Sequence, residues 1–97
     1  MEIKNIERRA SEVTKLLKAM ANKNRLIILC ALCKGEKCVG ELEVISGLSQ
    51  SALSQHLAKL RHDGLVKTRR DAQTIYYSTD HPGIKGLMKA LCENYSD

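Results

Sequence analysis

The first third of the chain repeats its apolar positions with the period of an α-helix. A first helix is predicted at about residues 4–21, and one of its faces carries Val13, Leu16, Leu17 and Met20. Asn22 or Asn24 can cap a second helix, because an Asn side chain accepts a hydrogen bond from a free backbone N–H, and Gly35 can end that helix. We expect its core-facing stripe to consist of Leu26, Leu29, Cys30 and Cys33, with Ile27 beside it.

Two further helices are predicted in the middle of the chain. Residues 39–45 form the third, and Gly47 makes the turn that follows it. Its inward-facing residues are Leu42 and Ile45. Ser49 is a favourable N-cap for the fourth helix, and Gly64 ends that helix because Gly tolerates the left-handed backbone conformation. Leucines recur there at the helical period and must face the core, namely Leu53, Leu57 and Leu60.

The last third of the chain predicts a β-hairpin followed by a helix. Residues 65–70 and 74–78 form the strands, joined by a tight turn at Asp71 and Ala72. The last helix begins at Thr79 or Asp80 and has Pro82 in its first turn. Its apolar stripe is Ile84, Leu87, Met88, Leu91 and Tyr95. Four helices, a small β-hairpin and a final helix make a mainly α winged helix-turn-helix, predicted as a single domain of residues 1–97.

The fourth helix carries a small polar face opposite its leucines. Gln can form two hydrogen bonds with adenine, and Ser can bond either donors or acceptors on base edges. We therefore expect four base-reading residues, Gln50, Ser51, Ser54 and Gln55. His56 lies at the edge of the buried face, where it could reach a phosphate or pack. Farther along the helix, contacts to phosphates are expected from Lys59, Arg61 and His62.

The hairpin adds basic residues where a wing would meet the DNA backbone. Arg69 and Arg70 come just before the predicted turn and Gln73 just after it. The alternative interpretation is a solvated basic turn that contacts no DNA. The polar face of the preceding helix favours a DNA-contacting wing instead. The net charge of +5 also favours a polyanion. The only aromatic residues are three Tyr, which argues against single-strand stacking and leaves double-stranded DNA as the expected partner.

The apolar stripes at the two ends of the chain predict a homodimer formed through the first and last helices. Two-fold symmetry would place two recognition helices about 34 Å apart on an inverted-repeat operator. No signal peptide is recognisable, and the longest apolar run, residues 26–33, is too short to span a bilayer. We therefore expect a cytoplasmic protein with no membrane partner.

The chemistry of the chain is concentrated in four cysteines. Paired carboxylates, a nucleophile elbow, a phosphate loop and a Cys/His dyad are all missing from the sequence, so we expect neither an enzyme nor a cofactor. In a reducing compartment, core thiols, metal ligands or redox groups are the possible roles for Cys30, Cys33, Cys38 and Cys92. Cys30 and Cys33 form a C-x-x-C motif, but it lies in the middle of a helix rather than at its start, so a thioredoxin-like role is disfavoured. Packing as small hydrophobic residues remains open for both, as does a four-thiolate site for zinc or another thiophilic ion.

Several segments together carry a family resemblance. SQSALSQHLAKLRHDGLV, the basic segment after it and IYYS, with RLIIL and CVGEL upstream, resemble the ArsR/SmtB family of small dimeric bacterial repressors. The resemblance extends from about residue 16 to residue 95 and is greatest to a thiol-sensing, persulfide-responsive branch of the family. It implies a winged-helix homodimer that leaves its operator when an inducer binds or oxidises it.

The resemblance also allows each of the family's sensing sites to be compared with this chain. The soft-metal site has a Cys-Val-Cys run, but Cys38 is followed by Val39 and Gly40, so one ligand is missing. The zinc site of the last helix fails as well, because its Asp-x-His pair is replaced by Asp80-His81-Pro82. Metal ligands are therefore not predicted.

The persulfide-responsive branch uses one Cys in the second helix and one in the last helix. Cys30 matches the first position. Aligning Tyr95 with the family's aromatic residue puts Ser96 at the second position, with Cys92 one turn earlier on the same face. The resemblance thus implies a transcriptional repressor whose DNA affinity is switched by persulfide or oxidant at Cys30 and Cys92. The alternatives are a repressor that senses a thiophilic metal, and a DNA binder with only structural cysteines that is either constitutive or acts by displacing another protein.

Overall fold

The computed structural model describes residues 2–96, and the order of their helices and strands is that of a winged helix-turn-helix. The elements are α1 Ile3–Met20, α2 Lys23–Cys33, β1 Lys37–Cys38, α3 Val39–Ser46, α4 Gln50–His62, β2 Lys67–Asp71, β3 Thr74–Ser78 and α5 Pro82–Tyr95. The five helices and the hairpin predicted from the sequence are confirmed. Strand β1 was not predicted, because a two-residue strand is too short to show an alternating pattern.

Side-chain caps define where the middle helices begin. Asn22 rather than Asn24 caps α2, since its Oδ1 accepts hydrogen bonds from the backbone N–H groups of Asn24 and Arg25 at 3.0 and 3.1 Å. The Ser49 hydroxyl accepts one from the N–H of Ala52 at the start of α4, as predicted. Gly47 ends α3 with a φ of +69°, a conformation that disfavours side chains with a Cβ. The turn of the helix-turn-helix is therefore specified by single residues on either side of it.

The start of α5 differs from the prediction. Neither Thr79 nor Asp80 caps this helix. His81 does so instead, because its Nδ1 accepts hydrogen bonds from the backbone N–H groups of Gly83 and Ile84. Thr79 is buried and donates its hydroxyl to the Leu65 carbonyl, while Asp80 pairs with the Lys67 ammonium at 2.6 Å. Both polar side chains are thus used to fasten the hairpin to the helices.

The sheet is antiparallel, with strand order β1-β3-β2. β2 begins at Lys67, two residues later than predicted, because Leu65 and Val66 are buried in the core before the strand starts. The turn occupies Ala72 and Gln73, one residue later than predicted. β1 pairs with β3 so that Lys37 faces Tyr77, and this pairing joins the wing to the segment that follows α2.

The core is built by α2, α3, α4 and α5. Its fully buried side chains are Ile28, Leu29, Leu42, Leu53, Leu57, Leu60 and Ile84. The predicted stripe of α2 was partly wrong, because Ile28 and Leu32 are buried whereas Cys30 and Cys33 are only half-buried. In an almost wholly apolar helix, periodicity cannot identify the buried face. Ile45 was predicted to face inward but is 45% exposed, since the short helix α3 turns only Leu42 fully into the core. No helix within residues 2–96 is both long and apolar enough to cross a bilayer.

Candidate DNA-binding surface and thiol pocket

Helix α4 presents its polar face to solvent. Three leucines at the helical period anchor its opposite face, with at most 1% of each side chain exposed. The expected base-reading residues are all exposed, namely Gln50, Ser51, Ser54 and Gln55, whereas His56 is half-buried. Leu48 precedes the Ser49 cap and packs against the core, which fixes the angle at which the helix begins. The structure therefore brings these short polar side chains together on one rigid, accessible helix face.

The C-terminal end of α4 is basic and lies near Lys15 of α1. Lys59, Arg61 and His62 lie in its last turn and are exposed. The carboxylate of Asp63, only 6% exposed, lies 3.4 Å from the Lys59 ammonium and 3.8 Å from that of Lys15. Asp63 thus lies between one lysine of α4 and one of α1. Arg61 and His62 have no ion-pair partner among residues 2–96.

Arg69 is exposed but already paired with a carboxylate of the same chain. Its Nε and Nη2 donate to the two carboxylate oxygens of Glu36 at 2.8 and 2.6 Å. The guanidinium also lies 4.4 Å from the ring centre of Tyr76, its cross-strand neighbour. The guanidinium lowers the pKa of Glu36 below its ordinary value, mainly through these hydrogen bonds. Arg69 thus fastens the wing to the segment between α2 and β1.

Arg70 occupies the opposite face of β2, since side chains alternate along a strand. Its cross-strand neighbour is Ile75, and it has no salt bridge within the described residues 2–96. Gln73 is exposed at the turn itself. Of the two wing arginines predicted to reach DNA, Arg70 is therefore the one whose charge is not already paired.

Three of the four cysteines meet between α2 and α5. We call this hollow of about 260 Å³ the thiol pocket; it is lined by Cys30, Cys33, Lys34, Lys85, Met88, Lys89 and Cys92. Cys30 and Cys92 also line an adjacent hollow of about 270 Å³ together with Tyr95 and Ser96. Cys38 lies apart at the N-terminus of α3. The two cysteines implied by the resemblance therefore share both hollows within one chain.

The Cys33 thiol is partly shielded from solvent. Burial raises the pKa of the Cys33 thiol, the nearby Cys30 and Cys92 raise it further, and Lys85 opposes the shift. All four cysteines are free thiols. Among residues 2–96, no group of three or more His, Cys, Asp or Glu side chains could hold a metal ion. The four-thiolate alternative consequently gains no support from the geometry.

The three lysines of the thiol pocket were not singled out in the sequence analysis. Their signal is nevertheless present, because Lys85, Lys89 and Cys92 are spaced at i, i+4 and i+7 and so share one face of α5. Lys34, the C-cap of α2, completes the rim from the other side. Glu36, Lys15 and Asp63 were also missed, and only the tertiary fold brings Glu36 to Arg69 and Lys15 to Asp63.

The outer faces of the first and last helices are apolar and partly exposed. On α1 the exposed fractions are 42% for Ile6, 37% for Val13 and 46% for Leu17. On α5 they are 37% for Leu91 and 80% for Tyr95. The predicted apolar stripes are therefore present, but only their inner edges, such as Met20, Ile84 and Met88, reach the core of this chain.

Comparison with known proteins supplies the family. Residues 22–68 match the model of the "bacterial regulatory protein, arsR family". Over 95 residues the chain is 48% identical to the transcriptional activator HlyU of Vibrio cholerae, and the alignment covers 98% of this chain and 88% of HlyU. The chain belongs to the ArsR family. The matched segment extends from the cap of α2 into β2 and so includes the whole helix-turn-helix.

Solved structures of other ArsR-type proteins agree with this assignment. The transcriptional repressor BigR from Xylella fastidiosa superimposes with a TM-score of 0.93 at 39% identity, covering 100% of this chain and 99% of BigR. The homodimeric winged helix-turn-helix DNA-binding domain Mb0332 from Mycobacterium bovis superimposes with a TM-score of 0.77 at 26% identity, covering 97% of this chain and 86% of the domain. This ArsR-family chain is therefore a winged-helix, DNA-binding transcriptional regulator and not an enzyme.

Proposed function

We propose that this chain is a homodimeric repressor that binds a palindromic operator and releases it when Cys30 and Cys92 are modified by a persulfide or an oxidant. Residues 1–97 act as one winged-helix domain with dimerisation helices at both ends. The observation that carries the switch is that Cys30 and Cys92 line the same two hollows between α2 and α5. A bond between these thiols would therefore tie the second helix to the last one.

The DNA-reading part of the proposal uses the exposed face of α4. Gln50, Ser51, Ser54 and Gln55 read base edges in the major groove, where short side chains let the helix come close. His56, Lys59 and Arg61 position the helix through phosphates, as do Arg69, Arg70 and Gln73 from the wing. Among the wing residues we assign the larger share to Arg70, because Glu36 already neutralises Arg69.

The dimer in the proposal covers the apolar outer faces of α1 and α5. Exposed apolar patches of this kind mark interaction surfaces, and a 97-residue domain gains stability by covering them. The homodimeric Mb0332 domain has the same fold, which supports a second copy of this chain as the occupant. Two copies related by a two-fold axis would read the two halves of an inverted repeat.

The switch itself is a shift between two conformations of the dimer. Modification must stabilise the conformer whose recognition helices no longer match the half-sites. Moving a population from 1:99 to 99:1 requires about 5.5 kcal/mol of differential stabilisation. A covalent link between two helices is well suited to supply a difference of that size, because it forms only in the conformer that brings the two sulfurs together.

The experiment that tests the proposal follows operator binding and thiol chemistry in the same samples. An operator is first selected from random DNA and checked for two-fold symmetry. The reduced protein is then treated with a persulfide donor or a peroxide, its intact mass is recorded, and operator binding is measured by fluorescence anisotropy. We expect the persulfide donor to add sulfur between Cys30 and Cys92, and peroxide to remove two hydrogens as a disulfide forms, each together with loss of binding.

Variants give this experiment its controls. Cys30→Ser and Cys92→Ser should each keep operator binding but no longer release DNA, whereas Cys38→Ser should behave like the wild type because Cys38 lies outside the thiol pocket. Release of DNA by the Cys30→Ser/Cys92→Ser double variant would overturn the switch. A thiol-inert protein that still binds the operator would instead indicate a constitutive DNA binder.

A further inference from the structure

The rim of the thiol pocket is positively charged. Lys34, Lys85 and Lys89 line it beside the cysteines, and no carboxylate within residues 2–96 does. We propose that this rim makes the pocket selective for an anionic sulfane-sulfur donor, namely a small organic persulfide whose carbon part carries a carboxylate. The inference rests on the proposed function, in which Cys30 and Cys92 are the thiols that become modified.

The lysines converge on the pocket from two elements. Lys85 and Lys89 lie one turn apart on α5, and Cys92 follows at the next position on that face. Lys34 caps the C-terminus of α2, one residue after Cys33. All three lysines are exposed at the mouth of the pocket, whereas Cys30 and Cys33 are half-buried. Cys92 is itself exposed, but an incoming molecule meets ammonium groups before it meets the sulfur atoms of Cys30 and Cys33.

The Cys33 thiol does not neutralise the positive charge of the rim. Burial raises the pKa of the Cys33 thiol, so this residue stays protonated near neutral pH and contributes no negative charge. A cleft lined by charges of one sign concentrates ions of the opposite sign and can raise association rates tenfold or more. A carboxylate-bearing donor consequently gains an advantage that a neutral donor of the same reactivity does not.

The size of the hollow suits a small molecule rather than a bare ion. Three thiols line a space of about 260 Å³, yet no group of His, Cys, Asp or Glu within residues 2–96 could hold a metal. That volume lies just below the range of about 300–1,000 Å³ for small-molecule sites, so only a donor of few atoms fits. Apolar contact from Met88 fits the short carbon part of such a donor, with its carboxylate at the lysines.

The chemistry balances without a further oxidant. A cysteine thiolate attacks the outer sulfur of the donor R–S–SH, a new S–S bond forms, and the old S–S bond breaks. R–S⁻ leaves and takes up a proton, so the products are Cys–S–SH and R–SH. Two persulfidated cysteines can then condense to Cys–S–S–S–Cys with loss of H₂S. The donor sulfur released as H₂S is reduced, and the two cysteine sulfurs are oxidised.

The test compares three donors of similar size and different charge: the persulfides of 3-mercaptopropionate, 2-mercaptoethanol and cysteamine. Rates of sulfur addition to the reduced protein are measured by quenched-flow mass spectrometry. Each rate is divided by the rate for the same donor with a small neutral thiol, which removes the intrinsic reactivity of the donor. We expect the anionic donor to react fastest and the cationic donor slowest. Raising the salt concentration should reduce the difference in rate between the anionic and cationic donors, because salt screens the lysine charges.

Lysine variants test whether the rim causes the preference for the anionic donor. Lys34→Gln/Lys85→Gln/Lys89→Gln should reduce the ratio of anionic to cationic rates by about tenfold. The matched control, Lys4→Gln/Lys18→Gln/Lys23→Gln, removes the same charge from exposed positions outside the pocket and should preserve the ratio. Circular dichroism verifies that both proteins are folded. An unchanged ratio in the pocket variant, or an equal loss in the control, would overturn the proposal.

The outcome is separable from that of the proposed function because the readout is the rate of thiol modification, not release of DNA. Charge selection with no effect on operator binding would refute the switch and leave the selective pocket in place. Release of DNA that is equally fast with all three donors would refute the pocket's selectivity and leave the switch in place.

Discussion

Ala72 adopts a backbone conformation that alanine disfavours. Its φ of +56° in the wing turn brings Cβ close to the backbone carbonyl, at a cost of about 1–2 kcal/mol that glycine does not have. We expect Ala72→Gly to raise the free energy of unfolding by about 0.5–1 kcal/mol, since the greater freedom of glycine in the unfolded chain offsets part of the gain. Urea denaturation followed by circular dichroism measures the change.

A second alanine provides the control for this prediction. Ala90 is exposed on α5 and has ordinary helical geometry, so Ala90→Gly should lower the free energy of unfolding by about 1 kcal/mol. Opposite signs for the two substitutions would support the backbone argument. Destabilisation by both would contradict it.

The two wing arginines should differ in their effect on DNA binding. Arg70→Gln removes an unpaired charge from the wing, so affinity should fall by a similar factor for all DNA sequences. The slope of log K against log salt should decrease in magnitude by about one per wing. Fluorescence anisotropy at four salt concentrations measures both effects. Arg8→Gln, which removes a charge from the exposed face of α1, is the control. A slope equal to that of the wild type would show that Arg70 makes no phosphate contact.

At the scale of an element, the start of α3 depends on a carboxylate. The backbone N–H of Cys38 donates to Glu41 at 3.0 Å, and this bond is the main reason that the pKa of Glu41 is lowered from its ordinary value of 4.5. The pKa of Asp80 is likewise lowered, mainly by its hydrogen bond from Lys67. A depressed pKa in the folded state stabilises the protein above the unfolded pKa, and the benefit is lost as the pH falls through the folded pKa.

The free energy of unfolding should therefore decline as the pH falls below about 5, where unfolded carboxyl groups begin to take up protons. Glu41→Gln keeps an oxygen that can accept the Cys38 N–H but removes the titration. We expect this variant to lose stability less steeply between pH 5 and pH 3.5 than the wild type, as measured by urea unfolding at each pH. Identical slopes would assign the acid sensitivity to other groups.

Most of the elements were predictable because each carries its own local signal. The spacing of Leu53, Leu57 and Leu60 fixes the buried face of α4, and the Asn22 and Ser49 caps mark where helices begin. The start of α5 was not predictable in this way, since Thr79 and Asp80 are ordinary caps and His81 is not. Only tertiary contacts decide the outcome, because Leu65 and Lys67 engage those two side chains.

At the scale of the whole molecule, the oligomeric state should depend on the outer faces of α1 and α5. Leu17→Glu or Leu91→Glu places a charge on an exposed apolar face, so either variant should sediment as a monomer and bind the operator weakly. Val44→Glu is a matched control, because Val44 is 85% exposed but lies on α3. Analytical ultracentrifugation distinguishes these outcomes. Dimers that persist in both α1 and α5 variants would place the interface elsewhere.

The candidate sites were predictable to different extents. The polar face of α4 follows from periodicity alone, so Gln50 and Ser54 could be identified from the sequence. The thiol pocket required the packing of α2 against α5, because Cys33 and Cys92 are 59 positions apart in sequence. The engagement of Arg69 by Glu36 also joins distant positions and could not be read from a local pattern.

The short connection between α2 and the wing has a mechanical consequence. Lys34 lines the thiol pocket, and only Gly35 and Glu36 separate it from β1, which is hydrogen-bonded into the wing sheet. Glu36 itself accepts two hydrogen bonds from the Arg69 guanidinium. The segment that joins the thiol pocket to the wing is therefore short and constrained at both ends. A displacement of the C-terminal end of α2 would therefore rotate the wing. A longer and more flexible linker would let α2 move without moving the wing.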